Sequence, residues 1–310
     1  MDLNKKKVLV TGGAGFIGSN LVMAIQEKYP EAEITVADNL ISGDFRNLDG
    51  YKGDFIVANI VNLDLEKYFP SLDIIFHQAA ITETIFSDSQ KMIFENVEGF
   101  RNVLNYALSH NTDLVYASAS GIYGQSPIPM KVGAGEIPLG SYTFSKLVAD
   151  NIARRYFDLF EQRKKKLVGL RYFIVYGPRE DYKISETKGS IILKLYLQMK
   201  KGERPILFGD GEQKRDFVYV KDVVNANFLA LEAKRNGIFN IGVGKAVTFN
   251  EVVNTLNKSL GTNLEPIYQE NPFQKTYQYN SEADITETKE VLGYKPEYAL
   301  EQGIKDYLKP

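Results

Sequence analysis

Tyr142 and Lys146 lie four positions apart and carry side chains that acid–base catalysis uses. Residues at this spacing share one face of a helix, so the lysine ammonium would lie beside the phenol. A nearby positive charge favours the phenolate and lowers the pKa of the tyrosine. The pair predicts that Tyr142 takes a proton from a hydroxyl group while a hydride leaves for a nicotinamide cofactor. Lys146 would also bond the nicotinamide ribose; a surface helix pair is the alternative.

A glycine-rich segment near the N-terminus predicts where such a cofactor binds. Gly12, Gly15 and Gly18 follow a short apolar strand and open a helix. In this pattern the first glycine allows a tight turn, the second lets the backbone approach the pyrophosphate, and the third lets helix and strand pack closely. The helix start at Phe16 and Ile17 would offer its N–H groups and the positive end of its dipole to the phosphates.

Asp38 ends the second predicted strand, about 20 positions after the glycines, where a carboxylate bonds the ribose 2′-hydroxyl of NAD. Arg46 follows closely and would instead meet a 2′-phosphate, or be a solvated surface charge. Asn59, after the third predicted strand, would contact the adenine edge or only shape a turn. We predict a tightly bound NAD, with NADP as the alternative.

The segments that must position these residues alternate between strand and helix patterns. We predict strands at 7–11, 34–37, 55–58, 72–77, 114–118 and 167–173, and helices at 16–28, about 90–109 and 141–162. This alternation predicts an α/β fold with a doubly wound parallel sheet of the Rossmann type and right-handed crossovers.

We predict two units along the chain. Residues 1–173 would form the dinucleotide-binding Rossmann domain, and residues 174–310 mainly a smaller C-terminal α/β lobe for the substrate. In the second unit we predict helices at 191–200, 220–233 and 250–260 among short strands. No Gly/Ser/Pro linker marks the boundary, so the chain is free to cross back.

Composition excludes several classes of function. The chain has 310 residues, and its net charge of −2 gives no reason to expect nucleic acid or an anionic membrane as partner. It has no cysteine, which excludes disulfides, thiolate metal sites and a cysteine nucleophile, and its two histidines argue against a histidine-rich metal site. No long apolar stretch predicts a signal peptide or a membrane span, so we expect a cytoplasmic enzyme.

Together these motifs resemble the extended short-chain dehydrogenase/reductase superfamily, in its sugar-nucleotide epimerase/dehydratase branch, along essentially the whole chain. Further matches are the segments 76–80, 123–124, 171–180 and 214–222, with Asn96 in the long predicted helix. The resemblance implies cofactor contacts at Ala79 and Asn96, and binding of a nucleotide-sugar diphosphate by Arg215. A guanidinium fork suits paired phosphates; an ion pair of Arg215 with Asp216 or Asp222 is the alternative.

Within that branch the chain is most similar to ADP-glycero-manno-heptose 6-epimerases. Segment 177–183, with Arg179 and Lys183, resembles a family segment whose lysine serves in the active site, and Lys188 competes with Lys183 for that alignment. The segment that starts at Tyr277 resembles the C-terminal signature of the family. The stretch 38–40, with Asn39, resembles its cofactor segment, which often accompanies NADP. The resemblance implies a catalytic Lys183 and substrate contacts at Arg179, Lys188 and Tyr277.

Two residues depart from that family pattern. Ala119 occupies the position of a serine or threonine whose hydroxyl bonds the reacting sugar oxygen, and Ile174 replaces an asparagine. Ser118 and Ser120 flank Ala119 and are candidate substrate contacts. Neighbours along an extended segment point to opposite faces, which argues against a simple replacement of the missing hydroxyl. Two departures in one pocket suggest a changed reaction or substrate.

Three functions follow from these residues. The first is a nucleotide-heptose 6-epimerase that works through a keto sugar and recycles its cofactor within each turnover. The second is an NAD-dependent dehydrogenase of an ADP- or GDP-linked heptose that releases the keto sugar. The third is a non-catalytic dinucleotide-binding sensor, and 4-epimerases and 4,6-dehydratases also remain open. The resemblance further implies a homodimer in which the two long helices form a four-helix core.

Overall fold

A computed structural model describes residues 1–82, 88–181, 189–272 and 277–308. Its strands are β1 (Lys7–Thr11), β2 (Glu33–Asp38), β3 (Asp54–Val57), β4 (Ile74–His77), β5 (Asp113–Ala119), β6 (Leu167–Tyr172), β7 (Ile174–Tyr176), β8 (Ile206–Phe208), β9 (Lys214–Arg215), β10 (Phe217–Tyr219), β11 (Gly237–Ile241), β12 (Val247–Thr248) and β13 (Ile267–Gln269). Its helices are α1 (Phe16–Lys28), α2 (Leu65–Tyr68), α3 (Ser89–His110), α4 (Ser141–Arg154), α5 (Phe157–Gln162), α6 (Ile191–Lys200), α7 (Val220–Ala230), α8 (Phe249–Leu260), α9 (Thr286–Leu292) and α10 (Leu300–Tyr307).

The central sheet has seven parallel strands in the order β11-β6-β5-β4-β1-β2-β3. From β1 the chain builds outward through β2 and β3, then returns to the other side of β1 with β4. Ligands of such sheets bind outside the carboxyl ends of the strands, where the strand order reverses. The predicted α/β fold with a doubly wound parallel sheet is therefore confirmed, and it places a binding site beyond β1 and β4.

The core lies on both faces of this sheet, because alternate residues of each strand point to opposite sides. Val8 and Val10 of β1 belong to one cluster of buried apolar side chains, whereas Leu9 belongs to the other. Burying one such side chain stabilises the fold by about 1.5–3 kcal/mol. Burial on both faces therefore fixes the position of β1, and the position of β1 fixes where the glycine-rich turn begins. Within the described ranges, no helix is long and apolar enough to cross a membrane.

Helices α1 and α6 have the predicted bounds, but the single helix predicted over 141–162 is wrong. The structure has α4 and α5, separated by two residues. There the Arg155 N–H bonds the carbonyl of Ile152 and the Tyr156 N–H bonds that of Ala153, at 3.1 and 2.9 Å. Both bonds span three residues rather than four, so the turn tightens and the helix axis ends.

A smaller layer follows the central sheet along the chain. It contains three two-stranded sheets, β10 with β7, β12 with β9 and β13 with β8, together with a third apolar cluster to which α6, α8 and α10 contribute. Two later elements return to the first layer: β11 pairs with β6 at the edge of the central sheet, and α7 packs against α1. Residues after 174 therefore contribute to both layers.

Candidate active site

A cavity of about 450 Å³ lies at the carboxyl edge of the central sheet. It brings together fourteen of the residues predicted for the site: Gly12, Gly15, Phe16, Ile17, Gly18, Asp38, Asn39, Asn59, Ala79, Asn96, Ser118, Ser120, Tyr142 and Lys146. Arg179, Arg215 and Tyr277 are not part of its lining. Lys183 and Lys188 lie outside the described residues.

The glycine turn after β1 is shaped for close approach of a second backbone. Gly12 has φ +68°, and a Cβ atom there would lie 2.6 Å from the backbone nitrogen and Cα of Ala79. Gly15 is the N-cap of α1 and has no side chain to bond the first-turn N–H groups. The helix start therefore faces the cavity with its positive dipole end and its backbone donors, which suits a pyrophosphate.

The Asp38 carboxylate organises the loop after β2. One oxygen accepts the Ala14 N–H at 3.0 Å and the other accepts the Leu40 N–H at 2.8 Å. Burial raises the pKa of Asp38, and these N–H groups oppose that rise. Arg46 bonds the Asp44 carboxylate at 2.9 Å and is exposed to solvent. The surface-charge alternative for Arg46 matches this contact better than a 2′-phosphate site.

Two asparagines shape the cavity wall through bonds within the protein. Asn96 accepts the Ile81 N–H at 2.8 Å, and its amide nitrogen donates to the Ile81 carbonyl and the Ser145 hydroxyl, each at 3.0 Å. Asn59 donates to Glu95 at 2.6 Å and accepts the N–H of residue 61 at 3.0 Å. Asn96 thus connects α3 to α4. The bonds of Asn59 match the expected role in shaping a turn, and its contact with an adenine edge stays a prediction.

Tyr142 and Lys146 lie in the first two turns of α4. The Lys146 Nζ donates to the Ala117 carbonyl at 2.8 Å and lies 6.0 Å from the centre of the Tyr142 ring. Burial raises the pKa of Tyr142 to about 12 and lowers the pKa of Lys146 to about 8. The expected lowering of the tyrosine pKa is therefore wrong for this arrangement, because removal from water disfavours the phenolate and the ammonium bonds a carbonyl instead.

The end of β5 does not offer the Ser118 hydroxyl to the cavity. Ser118 lines the cavity, but its hydroxyl donates to the Asp150 carboxylate of α4 at 3.0 Å. Ala119 faces the cavity with a methyl group, and Ser120 lies buried in the turn that follows. The Ser118 hydroxyl is thus bonded within the protein, and a substrate contact at Ser118 stays a prediction.

A polar cluster that the sequence reasoning missed borders the same cavity. The Tyr172 hydroxyl accepts the amide N–H of Asn227 at 2.9 Å and lies 3.1 Å from the Gln78 amide oxygen, to which it can donate. Gln78 and Tyr172 line the cavity, as does the apolar Ile174. Gln78 stands inside a segment that matched the family pattern, but nothing in the spacing indicates that three separate elements meet here.

Arg179 does not line this cavity, and its predicted contact with substrate stays a prediction. Its guanidinium donates to the Asn47 carbonyl at 3.1 Å and to the Asn20 amide oxygen at 3.3 Å. It lines a second cavity of about 670 Å³ beside α1. Its backbone has φ +71°, and this left-handed turn directs the side chain towards α1.

Arg215 and Tyr277 lie together, and Gln278, which follows Tyr277, lines the cavity. The guanidinium carbon is 5.0 Å from the Tyr277 ring centre, and Nη1 donates to the carbonyls of Lys214 and Tyr279. The alternative of an ion pair with Asp216 or Asp222 is not seen within the described part of the chain. Both carboxylates accept backbone N–H groups instead.

His77 at the end of β4 predicts how the fold responds to acid. It is buried, lies 2.8 Å from the Thr11 hydroxyl through Nδ1, and has its pKa lowered by burial to about 3. Below pH 6.5, the ordinary pKa of histidine, the imidazole is protonated in the unfolded chain but stays neutral in the folded chain. The unfolded chain is therefore favoured on acidification, and the free energy of unfolding falls by about 1.4 kcal/mol per pH unit between about pH 6.5 and 3.

The test is urea unfolding of the wild type and of His77→Gln between pH 7.5 and 4. We expect the free energy of unfolding to fall less steeply in the variant, by one proton's contribution, below about pH 6.5. At pH 7.5 the histidine makes no such contribution, so that point serves as the internal reference. Identical slopes for the two proteins would contradict a buried neutral imidazole.

Comparison with known proteins agrees with this geometry. The model of the NAD dependent epimerase/dehydratase family matches residues 8–242. The chain is similar to ADP-L-glycero-D-manno-heptose-6-epimerase of Helicobacter pylori, with TM-score 0.90 and 40% identity over 99% of this chain and 96% of that one. It is also similar to UDP-N-acetylglucosamine 4-epimerase of Methanobrevibacter ruminantium M1, with TM-score 0.88 and 30% identity over 99% of this chain and 97% of that one. A third similar structure is UDP-glucose 4-epimerase of Thermotoga maritima, with TM-score 0.85 and 32% identity over 97% of each chain.

Proposed function

Because the chain belongs to the NAD dependent epimerase/dehydratase family, we propose that it acts on a nucleotide sugar through a keto-sugar intermediate, most like an NDP-glycero-manno-heptose 6-epimerase. One observation carries the proposal: Tyr142 and Lys146 border the same cavity as the glycine turn and Asp38. The 40% identity with a heptose 6-epimerase supports the heptose as sugar.

The residues of the cavity fit NAD. The Gly12 turn leaves no room for a side chain beside Ala79, the start of α1 suits a pyrophosphate, and Asp38 suits a ribose diol. When bound, NAD supplies the acceptor that takes a hydride from the sugar carbon and returns it. Because the epimerase would recycle its cofactor in each turnover, we propose that NAD is tightly bound.

The chain's own residues would move the proton and hold the sugar. Tyr142 takes the proton from the sugar hydroxyl at the oxidised carbon and gives it back after the ketone has turned over. Lys146 holds its ammonium beside this phenol, and its bond to the Ala117 carbonyl fixes its direction. Arg215, next to Tyr277, supplies the positive charge for the diphosphate. Roles for Lys183, Lys188 and Ser120 remain proposals from the family resemblance.

The dehydrogenase is kept as a second function because two side chains of the cavity support it. Ala119 presents a methyl group and Ile174 an apolar branch where the family pattern has polar groups. Fewer bonds to the keto sugar would weaken its retention, and a ketone that leaves before the hydride returns makes the reaction a net oxidation. We therefore propose these two residues as the ones that decide between the two outcomes.

The test is incubation of the purified protein with ADP- and GDP-linked manno-heptoses. NMR identifies the product, and absorbance at the reduced-nicotinamide band reports net oxidation. We expect inversion at C6 without a net absorbance change. A ketone with accumulating reduced cofactor would replace the epimerase by the dehydrogenase. Bound dinucleotide with no product from either sugar would overturn both, and leave a sensor or an enzyme of another nucleotide sugar.

We also propose a homodimer formed by α3 and α4. The two helices pack side by side, and each exposes one phenylalanine, Phe94 with 58% and Phe144 with 47% of its surface accessible. Large exposed apolar side chains on neighbouring helices are typical of an interface. Light scattering is expected to give twice the chain mass, and the mass of one chain after Phe94→Glu; a monomeric wild type would contradict the proposal.

Asp38 predicts the preference of the site for NAD over NADP. We expect Asp38→Ala to weaken NAD binding at least tenfold, a loss of about 1.4 kcal/mol, and to narrow the gap between NAD and NADP. The matched control is Asp44→Ala, which removes a half-buried carboxylate of the neighbouring loop that does not line the cavity. Calorimetric titration with both dinucleotides measures the result, and equal effects of the two substitutions would contradict the role of Asp38.

A further inference from the structure

Asp150 is a fully buried carboxylate on α4, one turn beyond Lys146. It accepts the hydroxyl of Tyr116 and that of Ser118, each at 3.0 Å, and the Arg171 Nε–H at 2.9 Å. The carboxylate oxygens of Asp150 thus bond the residues before and after Ala117 in β5, and they connect this strand to Arg171 in β6. A buried charge with this many partners is costly to remove.

The charge of Asp150 is balanced by a short network that runs from buried Arg171 to half-buried Glu136 and Arg154. Arg171 also contacts the Glu136 carboxylate at 2.8 Å, and Glu136 contacts Arg154 at 2.9 Å. Two acids and two arginines therefore neutralise one another. Glu136 is the outer acid of this network and Asp150 the inner one, on the helix that carries Lys146.

The groups that face Lys146 come from each element packed against it. Tyr142 and Asp150 lie one turn before and one turn after it on α4, and the Ala117 carbonyl on β5 accepts its N–H. His77 lies on β4, with its pKa lowered by burial and by the lysine charge. From α3, which packs against α4, Lys91 and Glu95 line the same cavity. Asp150 is the negative charge that raises the pKa of Lys146 against the effect of burial.

We propose that Asp150 is a positioning residue of the site: it holds the strand end whose Ala117 carbonyl orients the Lys146 ammonium, and it places a buried carboxylate one turn from that ammonium. The inference rests on the proposed function only where it concerns turnover. It predicts that the protonation of Lys146 depends on Asp150 and not on Glu136. If Asp150 only stabilised the fold, replacing either Asp150 or Glu136 would affect Lys146 in the same way.

The test follows the Lys146 amine directly by NMR in protein with ¹⁵N-labelled lysine side chains, with Lys146→Met used to assign the resonance. We expect Asp150→Asn to lower the midpoint of the Lys146 titration by about one pH unit or more. The matched control Glu136→Gln breaks the same network at its outer acid, and should leave the midpoint in place although it also lowers the melting temperature. Asp150→Glu should restore the wild-type midpoint.

Asp150→Asn leaves Arg171 without its inner partner and risks failing to fold. The double variant Asp150→Asn/Arg171→Gln removes both charges, and should fold with the same lowered midpoint. An unchanged midpoint in whichever variant folds, or an equal change with Glu136→Gln, would overturn the proposal. The alkaline limb of the activity profile should move together with the titration. If no sugar is turned over, the proposed function fails while the titration still decides the role of Asp150.

Discussion

Replacement of Tyr142 by phenylalanine is expected to lower kcat about a thousandfold while the Kd for NAD stays within about twofold. The substitution removes one hydroxyl and keeps the ring that lines the cavity, so the shape of the site is preserved. Burial holds the pKa of Tyr142 near 12, which makes the free phenol a poor base. Catalysis then depends on the charge of Lys146 in the reacting complex, and without the hydroxyl no proton leaves the sugar by this route.

The measurement is steady-state turnover of the heptose substrate combined with calorimetric binding of NAD. Tyr156→Phe is the matched control, because it removes a phenol hydroxyl just beyond α4 from a residue that does not line the cavity. We expect that control to keep both values. Full activity in Tyr142→Phe would sink the catalytic assignment, and loss of NAD binding in the same variant would make it a binding residue instead.

Replacement of Gly12 by alanine is expected to weaken NAD binding about a hundredfold or more. The Cβ of an alanine would overlap the backbone of Ala79 at 2.6 Å and displace the turn that would receive the pyrophosphate. The alanine at φ +68° also costs about 1–2 kcal/mol, which lowers the free energy of unfolding rather than the free energy of NAD binding. Neither backbone can move freely, since Gly12 follows β1 and Ala79 follows β4 in the centre of the sheet. A hundredfold loss corresponds to about 3 kcal/mol of binding free energy.

Gly133→Ala separates these two costs. Gly133 also has a positive φ, +85°, but a Cβ atom there would have no neighbour within 4 Å. We expect it to lower the free energy of unfolding by about 1 kcal/mol and to leave NAD affinity unchanged. Calorimetric titration and urea unfolding of both variants give the comparison. Similar NAD affinities for the two would mean that the close approach at Ala79 does not shape the site.

The sequence predicts the glycine turn and the start of α1 well because this part of the structure is local. A strand, a glycine turn and a helix start are consecutive, so Gly12, Gly15 and the bounds of α1 follow from spacing alone. Asp38 joins them through parallel pairing of the next strand. Each of these contacts depends on backbone geometry that short-range patterns encode.

The contacts of Ser118 and Arg179 were less predictable, because the residues they bond are distant along the chain. Ser118 bonds a carboxylate 32 positions later, and Arg179 reaches back 159 positions to Asn20. The prediction of a lowered pKa for Tyr142 was wrong for a related reason. Helical spacing identifies the neighbouring charge, but it does not show how far the phenol is removed from water. Spacing identifies which residue types meet on one element, whereas direction and desolvation depend on the elements packed around it.

The return of α7 and β11 to the central sheet limits how relatives of this chain can be recombined. A chimera joined once near residue 174 would import a foreign edge strand for β6 and a foreign partner for α1, and a mismatch there leaves an unpaired strand edge prone to aggregation. Exchange of the smaller layer between relatives calls for two stretches, before α7 and after β11, with 220–241 kept from the recipient. The smaller layer is thus a discontinuous module, interrupted by two elements of the central sheet layer.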